Sequence, residues 1–181
     1  MASHSLTIAD LLERNKATAA KHTPIPTIDE IVESGAPPPK LMIVTCLDSR
    51  CIPERYFNLE VGEIVVHRNA GGNAKTALRD ITVFDSLFGG IDEIAVVHHT
   101  DCGTLRFTEE SIASGIKARV DPSHWHEVDA LQPFGAVTDV EQSVKEDVEW
   151  LRAHPLIRDD LRKGVHGFVF DLKTGKVEQK I

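Results

Sequence analysis

Two short apolar runs of the sequence each end in side chains that can bind a metal ion or take part in catalysis. The first run, LMIVT, is followed by Cys46, Asp48 and Arg50. The second run, IAVV, is followed by His99 and Cys102. Such runs are typical of buried strands in a parallel sheet, and reactive groups in open α/β sheets collect beyond the carboxyl ends of the strands. If the two strands lie side by side, Cys46, His99 and Cys102 converge.

These side chains favour zinc as the metal. Zinc takes thiolate and imidazole ligands in tetrahedral geometry, and a catalytic zinc site keeps one position for water. The spacing from His99 to Cys102 can bring both side chains to one ion around a strand end. His98 is the competing candidate, but in an extended strand it should point to the opposite face, so we choose His99. On spacing alone, the cysteines could equally be small buried hydrophobic side chains.

The composition limits the class of protein. The chain has 181 residues, a formal net charge of −8 and three cysteines. We expect a single domain over residues 1–181, able to bury a core without disulfides. There is no basic stripe of the kind that nucleic acids require and no apolar run long enough to span a membrane. An odd number of cysteines favours a metal site in a reducing compartment, and the acidic Asp10 and Glu13 argue against a secretory signal. We therefore expect a cytoplasmic protein.

The pattern of elements predicts an α/β fold, with a central, mostly parallel β-sheet flanked by helices and a C-terminal antiparallel hairpin. The expected strands are 41–45, 64–67, 93–98 and 165–171, with a hairpin turn leading to 176–179. The expected helices are 7–21, 53–58, 76–88, 109–118 and 137–153, with a helical turn at 28–32. Thr7 or Asp10 could cap the first helix, and Thr138 with Glu141 suggests a capping box for the last. Trp125 is expected in a loop.

Together, CLDSR, HRNAGG and HHTDCG resemble the motifs of the β-class carbonic anhydrases. The HHTDCG stretch resembles more narrowly a compact subgroup from some bacteria and fungi that includes carbonyl sulfide hydrolases. The resemblance runs from Leu41 through the C-terminal hairpin. It implies Cys46, His99 and Cys102 as ligands of one Zn²⁺ per subunit. It also implies Asp48 and Arg50 as a catalytic pair beside the metal.

The activity implied by this resemblance is the reversible hydration of carbon dioxide to bicarbonate through zinc-bound hydroxide. Asp48 would accept a hydrogen bond from the hydroxide, and Arg50 would hold Asp48 away from the metal. Closed states, in which the carboxylate becomes the fourth ligand, are known in the family, and we expect low pH to favour one here. Two alternatives are hydrolysis of carbonyl sulfide or carbon disulfide at the same zinc site, and a non-catalytic module that zinc stabilises.

The resemblance also implies an oligomer, because members of the family form dimers whose N-terminal helices clasp the partner. We expect a homodimer or homotetramer in which residues 1–39 form a helical arm that packs on a neighbouring subunit.

Other residues near these motifs leave more than one interpretation open. The HRNAGG loop could approach the active site or could form a tight turn that leads into a helix. Cys51 has the wrong spacing for a fourth ligand and is expected to be a buried or half-buried thiol. His124 and His126 flank Trp125 without a suitable acidic or cysteine partner, so an interface is a better interpretation than a second metal site.

Overall fold

The chain divides into two compact units, Met1–Pro37 and Pro38–Ile181. The computed structural model describes residues 6–87 and 89–181. None of the helices formed by these residues is long and apolar enough to cross a membrane.

The described part of the first unit contains two helices, α1 (Ile8–Ala19) and α2 (Ile28–Ser34). A capping box starts α1: the Thr7 side chain accepts a hydrogen bond from the Asp10 N–H at 3.2 Å, and the Asp10 carboxylate accepts one from the Thr7 N–H at 2.7 Å. Both residues considered as caps therefore take part. The residues of α1 and α2 are not buried within this unit, and apolar side chains such as Leu11 are exposed.

A five-stranded sheet forms the centre of the second unit, with the strand order β2-β1-β3-β4-β5. The strands are β1 (Leu41–Cys46), β2 (Val65–Asn69), β3 (Glu93–His99), β4 (Val165–Phe170) and β5 (Val177–Gln179). The first four are parallel, and β5 pairs with β4 in the antiparallel direction. The mostly parallel sheet with its C-terminal hairpin is confirmed.

Six α-helices accompany the sheet in the described part of the second unit. They are α3 (Pro53–Tyr56), α4 (Ala74–Asp85), α5 (Glu109–Lys117), α6 (Trp125–Ala130), α7 (Val140–Ala153) and α8 (Asp159–Lys163). Trp125 thus begins a short helix, and its expected place in a loop is wrong. The sequence also gave no indication of α8. Phe88, the predicted end of α4, lies outside the described residues.

The predicted capping box of α7 is wrong. Asp139, and not Thr138, is the residue that precedes the first turn, and its carboxylate accepts a hydrogen bond from the Gln142 N–H at 2.7 Å. The helix therefore starts later than the predicted residue 137. Both Thr and Asp are good N-cap residues, so the pattern of types alone does not choose between neighbouring candidates.

The strand β1, which lies between β2 and β3, is buried on both of its faces. Met42 and Val44 belong to a core cluster that includes side chains of α4 and α7, whereas Ile43 packs with Val97 and Phe170 in a second cluster. Successive side chains of a strand point to opposite faces, so both faces of β1 must be apolar. This requirement explains the uninterrupted apolar run that predicted the strand.

Strand register brings the two motif-bearing ends together. β1 and β3 are neighbours, and Thr45 pairs with Val97. The last residue of β1 is Cys46, and the last residue of β3 is His99. Because the strands are parallel, both carboxyl ends lie at the same edge of the sheet. This is the arrangement in which Cys46, His99 and Cys102 can converge.

Candidate metal centre

Cys46, His99 and Cys102 form a compact cluster at this edge of the sheet. The two sulfurs and a ring nitrogen of His99 all lie within 4.8 Å of one another, and the Sγ atoms are 3.8 Å apart. All three residues are buried. Within residues 6–87 and 89–181, no other group of three His, Cys, Asp or Glu side chains could hold an ion in this way. The cluster offers two sulfurs and one nitrogen, a ligand set suited to zinc.

The ring of His99 has one nitrogen engaged and one without a partner. Nδ1 lies 2.9 Å from the carbonyl oxygen of Thr100 and donates to it, because a carbonyl can only accept. In the neutral ring this leaves a lone pair on Nε2, which is buried and has no hydrogen-bond partner. A buried nitrogen without a partner is costly. A metal ion bound at Nε2 would remove that cost, and the carbonyl would fix the ring orientation.

The two thiols have opposite pKa shifts because they share a hydrogen bond. Accepting this bond from Cys46 lowers the pKa of Cys102, and the same bond, together with burial, raises the pKa of Cys46 far above its usual range. Thr104 Oγ1 is 3.1 Å from the Cys102 sulfur, and the Asp48 N–H donates to the Cys46 sulfur at 3.4 Å. Two adjacent thiolates repel each other. A cation bound between them would offset this repulsion and so favour the loss of the second proton.

Asp48 lies beside this cluster and is held by Arg50. Asp48 Oδ2 is 4.0 Å from Nε2 of His99. The Arg50 Nε donates to both carboxylate oxygens, at 3.0 and 3.2 Å, and Nη2 donates to Oδ2 at 2.6 Å. These bonds lower the pKa of Asp48 well below its usual range. Asp48 is therefore an ionised acceptor that points towards the cluster.

Asp101 is a second carboxylate partner of Arg50 that the sequence analysis did not assign. Its Oδ2 accepts from Arg50 Nη1 at 2.9 Å, and its carbonyl oxygen accepts from Nη2 at 3.0 Å. Arg106 donates to Oδ1 of Asp101 at 3.0 Å. One guanidinium thus contacts two carboxylates. Asp101 is the aspartate of the HHTDCG motif, but only the fold shows that its side chain reaches Arg50.

Arg68 is another residue whose place the sequence did not reveal. It lies in β2, one residue beyond the predicted end of that strand, and not in the following loop. Its guanidinium donates to the carbonyl oxygens of Cys46 at 3.1 Å, Asp48 at 2.7 Å and Cys51 at 2.9 Å. These three contacts connect β2 to the segment that carries Cys46 and Asp48.

The other candidates considered from the sequence lie apart from the cluster or lack metal-binding partners. His98 Nδ1 is 2.7 Å from Ser143 Oγ, and His98 Nε2 is 3.3 Å from Asp147 Oδ2. Cys51 is fully buried, with its sulfur 3.2 Å from Thr45 Oγ1. His124 pairs with Glu127 and is exposed. The described geometry thus places His99, and not His98, with the two cysteines.

The glycine turn after β2 lies against the backbone that carries the cluster. Gly72 has a φ of +74°, and a Cβ at this position would lie 3.0 Å from the Thr45 carbonyl carbon and 3.1 Å from the Cys46 nitrogen. Gly175 has a similar φ of +72°, but open space surrounds its Cβ position. Substitutions at the two positions can therefore distinguish the energetic cost of the left-handed backbone from the cost of the close backbone contact.

We expect Gly72→Ala to destabilise the protein more than Gly175→Ala. The left-handed backbone alone should cost about 1–2 kcal/mol in Gly175→Ala, and the added backbone contact should raise the cost to about 2–4 kcal/mol in Gly72→Ala. Urea unfolding of both variants measures the difference in the free energy of unfolding, provided that the two variants have the same m-value. Equal losses would contradict the close approach of the turn to β1.

Comparison with known proteins agrees with this geometry. The family model described as carbonic anhydrase matches residues 41–177, which include β1 to the start of β5 and the whole cluster. The chain belongs to the β-carbonic anhydrase family. The family assignment by resemblance is therefore confirmed.

Individual relatives include two kinds of enzyme. The chain is 32% identical over 151 residues to beta-carbonic anhydrase 1 of Mycobacterium tuberculosis, covering 79% of this chain and 83% of that protein. It is also 32% identical over 160 residues to the carbon disulfide hydrolase of Acidianus sp., covering 77% and 76%. Among solved structures, the carbonic anhydrase from Glaciozyma antarctica matches with a TM-score of 0.76 and 33% identity, covering 99% and 98% of the two chains. The family of β-carbonic anhydrases thus has members named for different substrates.

Proposed function

We propose that this protein catalyses the reversible hydration of carbon dioxide to bicarbonate, with one Zn²⁺ per subunit held by Cys46, His99 and Cys102. The observation that carries the proposal is the orphaned Nε2 of His99, buried beside two sulfurs and 4.0 Å from the carboxylate of Asp48. The donor set fits zinc, and a carboxylate that can orient a nucleophile lies next to it.

The side chains of this chain would divide the work as follows. Bound zinc would supply Lewis acidity, lowering the pKa of a water molecule to near neutrality. Asp48 accepts a hydrogen bond from the nucleophilic water and so directs the lone pair of its oxygen towards carbon dioxide. Arg50 keeps Asp48 ionised and fixes the position of its carboxylate. In this arrangement Asp48 and Arg50 are the catalytic pair.

The pairing of Asp48 with Arg50 supports a catalytic over a structural zinc site. Structural zinc sites are closed by four protein ligands, and the Asp48 carboxylate lies 4.0 Å from Nε2 of His99. Its oxygens are occupied by the bonds from Arg50. The closed state expected at low pH would require these bonds to break. The held carboxylate therefore favours a position open to water over a zinc-stabilised module.

Carbon disulfide or carbonyl sulfide is the second candidate substrate. The specific reason is the similarity to the carbon disulfide hydrolase of Acidianus sp., at 32% identity. All of these molecules are linear and have an electrophilic carbon, so the same nucleophile could attack any of them. The choice among them depends on the shape of the pocket and not on the metal ligands.

Stopped-flow hydration of carbon dioxide tests the proposal. Protein of measured zinc content is assayed at about pH 7 and about pH 8.5, because a zinc-activated water is partly deprotonated at the first value and largely deprotonated at the second. We expect fast turnover that disappears after chelation and returns with added Zn²⁺. Full zinc occupancy with negligible hydration at both pH values would contradict the proposal. Release of hydrogen sulfide from carbon disulfide or carbonyl sulfide would then identify the second candidate.

We also propose that the protein is a homodimer or homotetramer in the cytoplasm. The exposed apolar residues of the first unit, such as Ile8, Leu11 and Leu12, support an arm that packs on a neighbouring subunit. Three free, buried cysteines fit a reducing compartment.

Light scattering at micromolar concentration should give a mass of at least two chains of 20.0 kDa. Replacing Leu11 and Leu12 by serine should shift the mass towards the monomer, because the apolar contact is lost. Ser substitution of exposed Leu156 in the second unit is the control. A monomeric parent protein would contradict the proposed assembly.

A further inference from the structure

The segment from Cys46 to Cys51 carries both a candidate ligand and the catalytic carboxylate, yet only Cys46, the last residue of β1, belongs to the sheet, and the chain turns after it. Its own backbone makes one closing hydrogen bond, from the Cys51 N–H to the Asp48 carbonyl at 2.9 Å. Side-chain contacts add to it, from the Asp48 N–H to the Cys46 sulfur at 3.4 Å and from the Arg50 N–H to the Asp48 carboxylate at 2.8 Å. The Leu47 N–H also ties the turn to β2 through the Asn69 carbonyl at 2.8 Å. The carbonyls along the turn accept from a further donor that lies outside it.

Arg68 spans this turn from the neighbouring strand. Its guanidinium reaches the carbonyl at the start of the turn (Cys46), the one at its centre (Asp48) and the one at its end (Cys51). The Asp48 carbonyl thus accepts from both Arg68 and the turn's own closing bond. β2 holds the backbone of Arg68 next to β1, where it pairs with Thr45.

We propose that Arg68 is a positioning residue for the reaction, holding the Cys46–Cys51 turn so that Cys46 and Asp48 keep a fixed separation; this rests on the proposed function. The guanidinium is suited to this task because its five donors lie in one rigid plane. An ammonium group is a single point charge and cannot keep three separate carbonyls in one arrangement. The role therefore distinguishes arginine from lysine.

The test compares Arg68→Ala and Arg68→Lys with the parent protein. We expect Arg68→Ala to lower kcat by about 10- to 100-fold with little change in KM, the range seen when outer partners of metal ligands are lost. Release of zinc to a chelator should accelerate in the same variant. Arg68→Lys should lie between Arg68→Ala and the parent in both measurements.

Chemical rescue separates positioning from general stability. Arg68 is an exposed residue, so free guanidinium at a non-denaturing, millimolar concentration can reach the space left in Arg68→Ala. We expect it to restore part of the turnover and to slow zinc release. Arg152→Ala is the matched control, because Arg152 also donates to a backbone carbonyl, that of Val165. Val165 is the first residue of β4 and so lies at the end of the sheet away from the cluster. Guanidinium should restore nothing in that variant.

The zinc-release measurement keeps this inference independent of the substrate. If the parent protein binds zinc but does not hydrate carbon dioxide, the proposed function fails, while faster zinc release from Arg68→Ala would still support the positioning role. Unchanged zinc release and turnover in Arg68→Ala would overturn the inference. A lowered melting temperature with no rescue by guanidinium would overturn it as well, since that result indicates a role in stability alone.

Discussion

Cys102→Ser is expected to abolish tight zinc binding and, with it, the hydration of carbon dioxide. Cys102 provides one of the two sulfurs, 3.8 Å from that of Cys46. A serine hydroxyl is a harder ligand and far less acidic, so only Cys46 and His99 would remain as effective ligands. Zinc affinity should fall by more than about 100-fold. Turnover should fall by at least about 1,000-fold, corresponding to roughly 4 kcal/mol of lost stabilisation by the metal.

The third cysteine provides a matched control. Cys51→Ser makes the same change of sulfur to oxygen in a buried thiol that lies outside the cluster, next to Thr45 Oγ1. This variant should keep one zinc per subunit and most of its activity. Metal analysis after dialysis and stopped-flow hydration are compared for both variants. Full zinc content in Cys102→Ser, or loss of zinc in Cys51→Ser alone, would show that the assignment of ligands is wrong.

The cluster was accessible from the sequence because chemical type and strand position agree there. Cys46 and His99 are each the last residue of a buried parallel strand, and an apolar run marks such a strand clearly. Alternation along β3 also separated His99 from His98, which contacts Ser143 on the other side. The convergence depended on one condition that the sequence left open, that β1 and β3 are neighbours, and the strand order of the sheet meets it.

The supporting residues were not accessible in the same way, because their partners are distant or lie in irregular backbone. Arg68 contacts Cys46, a residue of a different strand, and its carbonyl partners carry no signal in the side-chain sequence. Asp101 reaches Arg50 across 51 positions of the chain. The start of α7 was predicted three residues too early, at 137 and not at Val140. The cause is local, since Thr138 and Asp139 are both favourable N-cap residues. Contacts of this kind depend on the folded backbone and not on residue pattern.

Asp48→Asn is the second change with a large expected effect, and it should separate chemistry from metal binding. Asparagine has the same shape as aspartate but no charge, so it is a weaker acceptor for the nucleophilic water. We expect kcat to fall by about 10²- to 10⁴-fold, the usual contribution of a positioned acid–base group. Zinc content should not change, because Cys46, His99 and Cys102 are intact. The measurements are stopped-flow hydration and metal analysis of the same sample.

Asp101→Asn is the control, since it removes the other carboxylate on Arg50. Asp101 and Arg50 are both well exposed, and exposed ion pairs are worth at most about 1 kcal/mol, or roughly a fivefold effect. A loss of similar size in Asp48→Asn and Asp101→Asn would contradict a direct role for Asp48. It would indicate that both act only by holding Arg50.

The pH dependence of the Asp48 effect follows from its pKa. Hydrogen bonds from Arg50 lower that pKa, so the folded protein binds the proton of Asp48 less readily than the unfolded chain does. The pairing therefore stabilises the folded state above about pH 4, the ordinary value for aspartate, and the contribution is lost as the pH falls towards the lowered pKa. Since Asp48 is ionised throughout the neutral range, the titration of Asp48 itself should add no step to the pH profile of the parent protein between about pH 7 and about pH 8.5. A step in the parent profile that is absent from the profile of Asp48→Asn would show that Asp48 itself titrates during the reaction, and its proposed role as a permanent acceptor would be wrong.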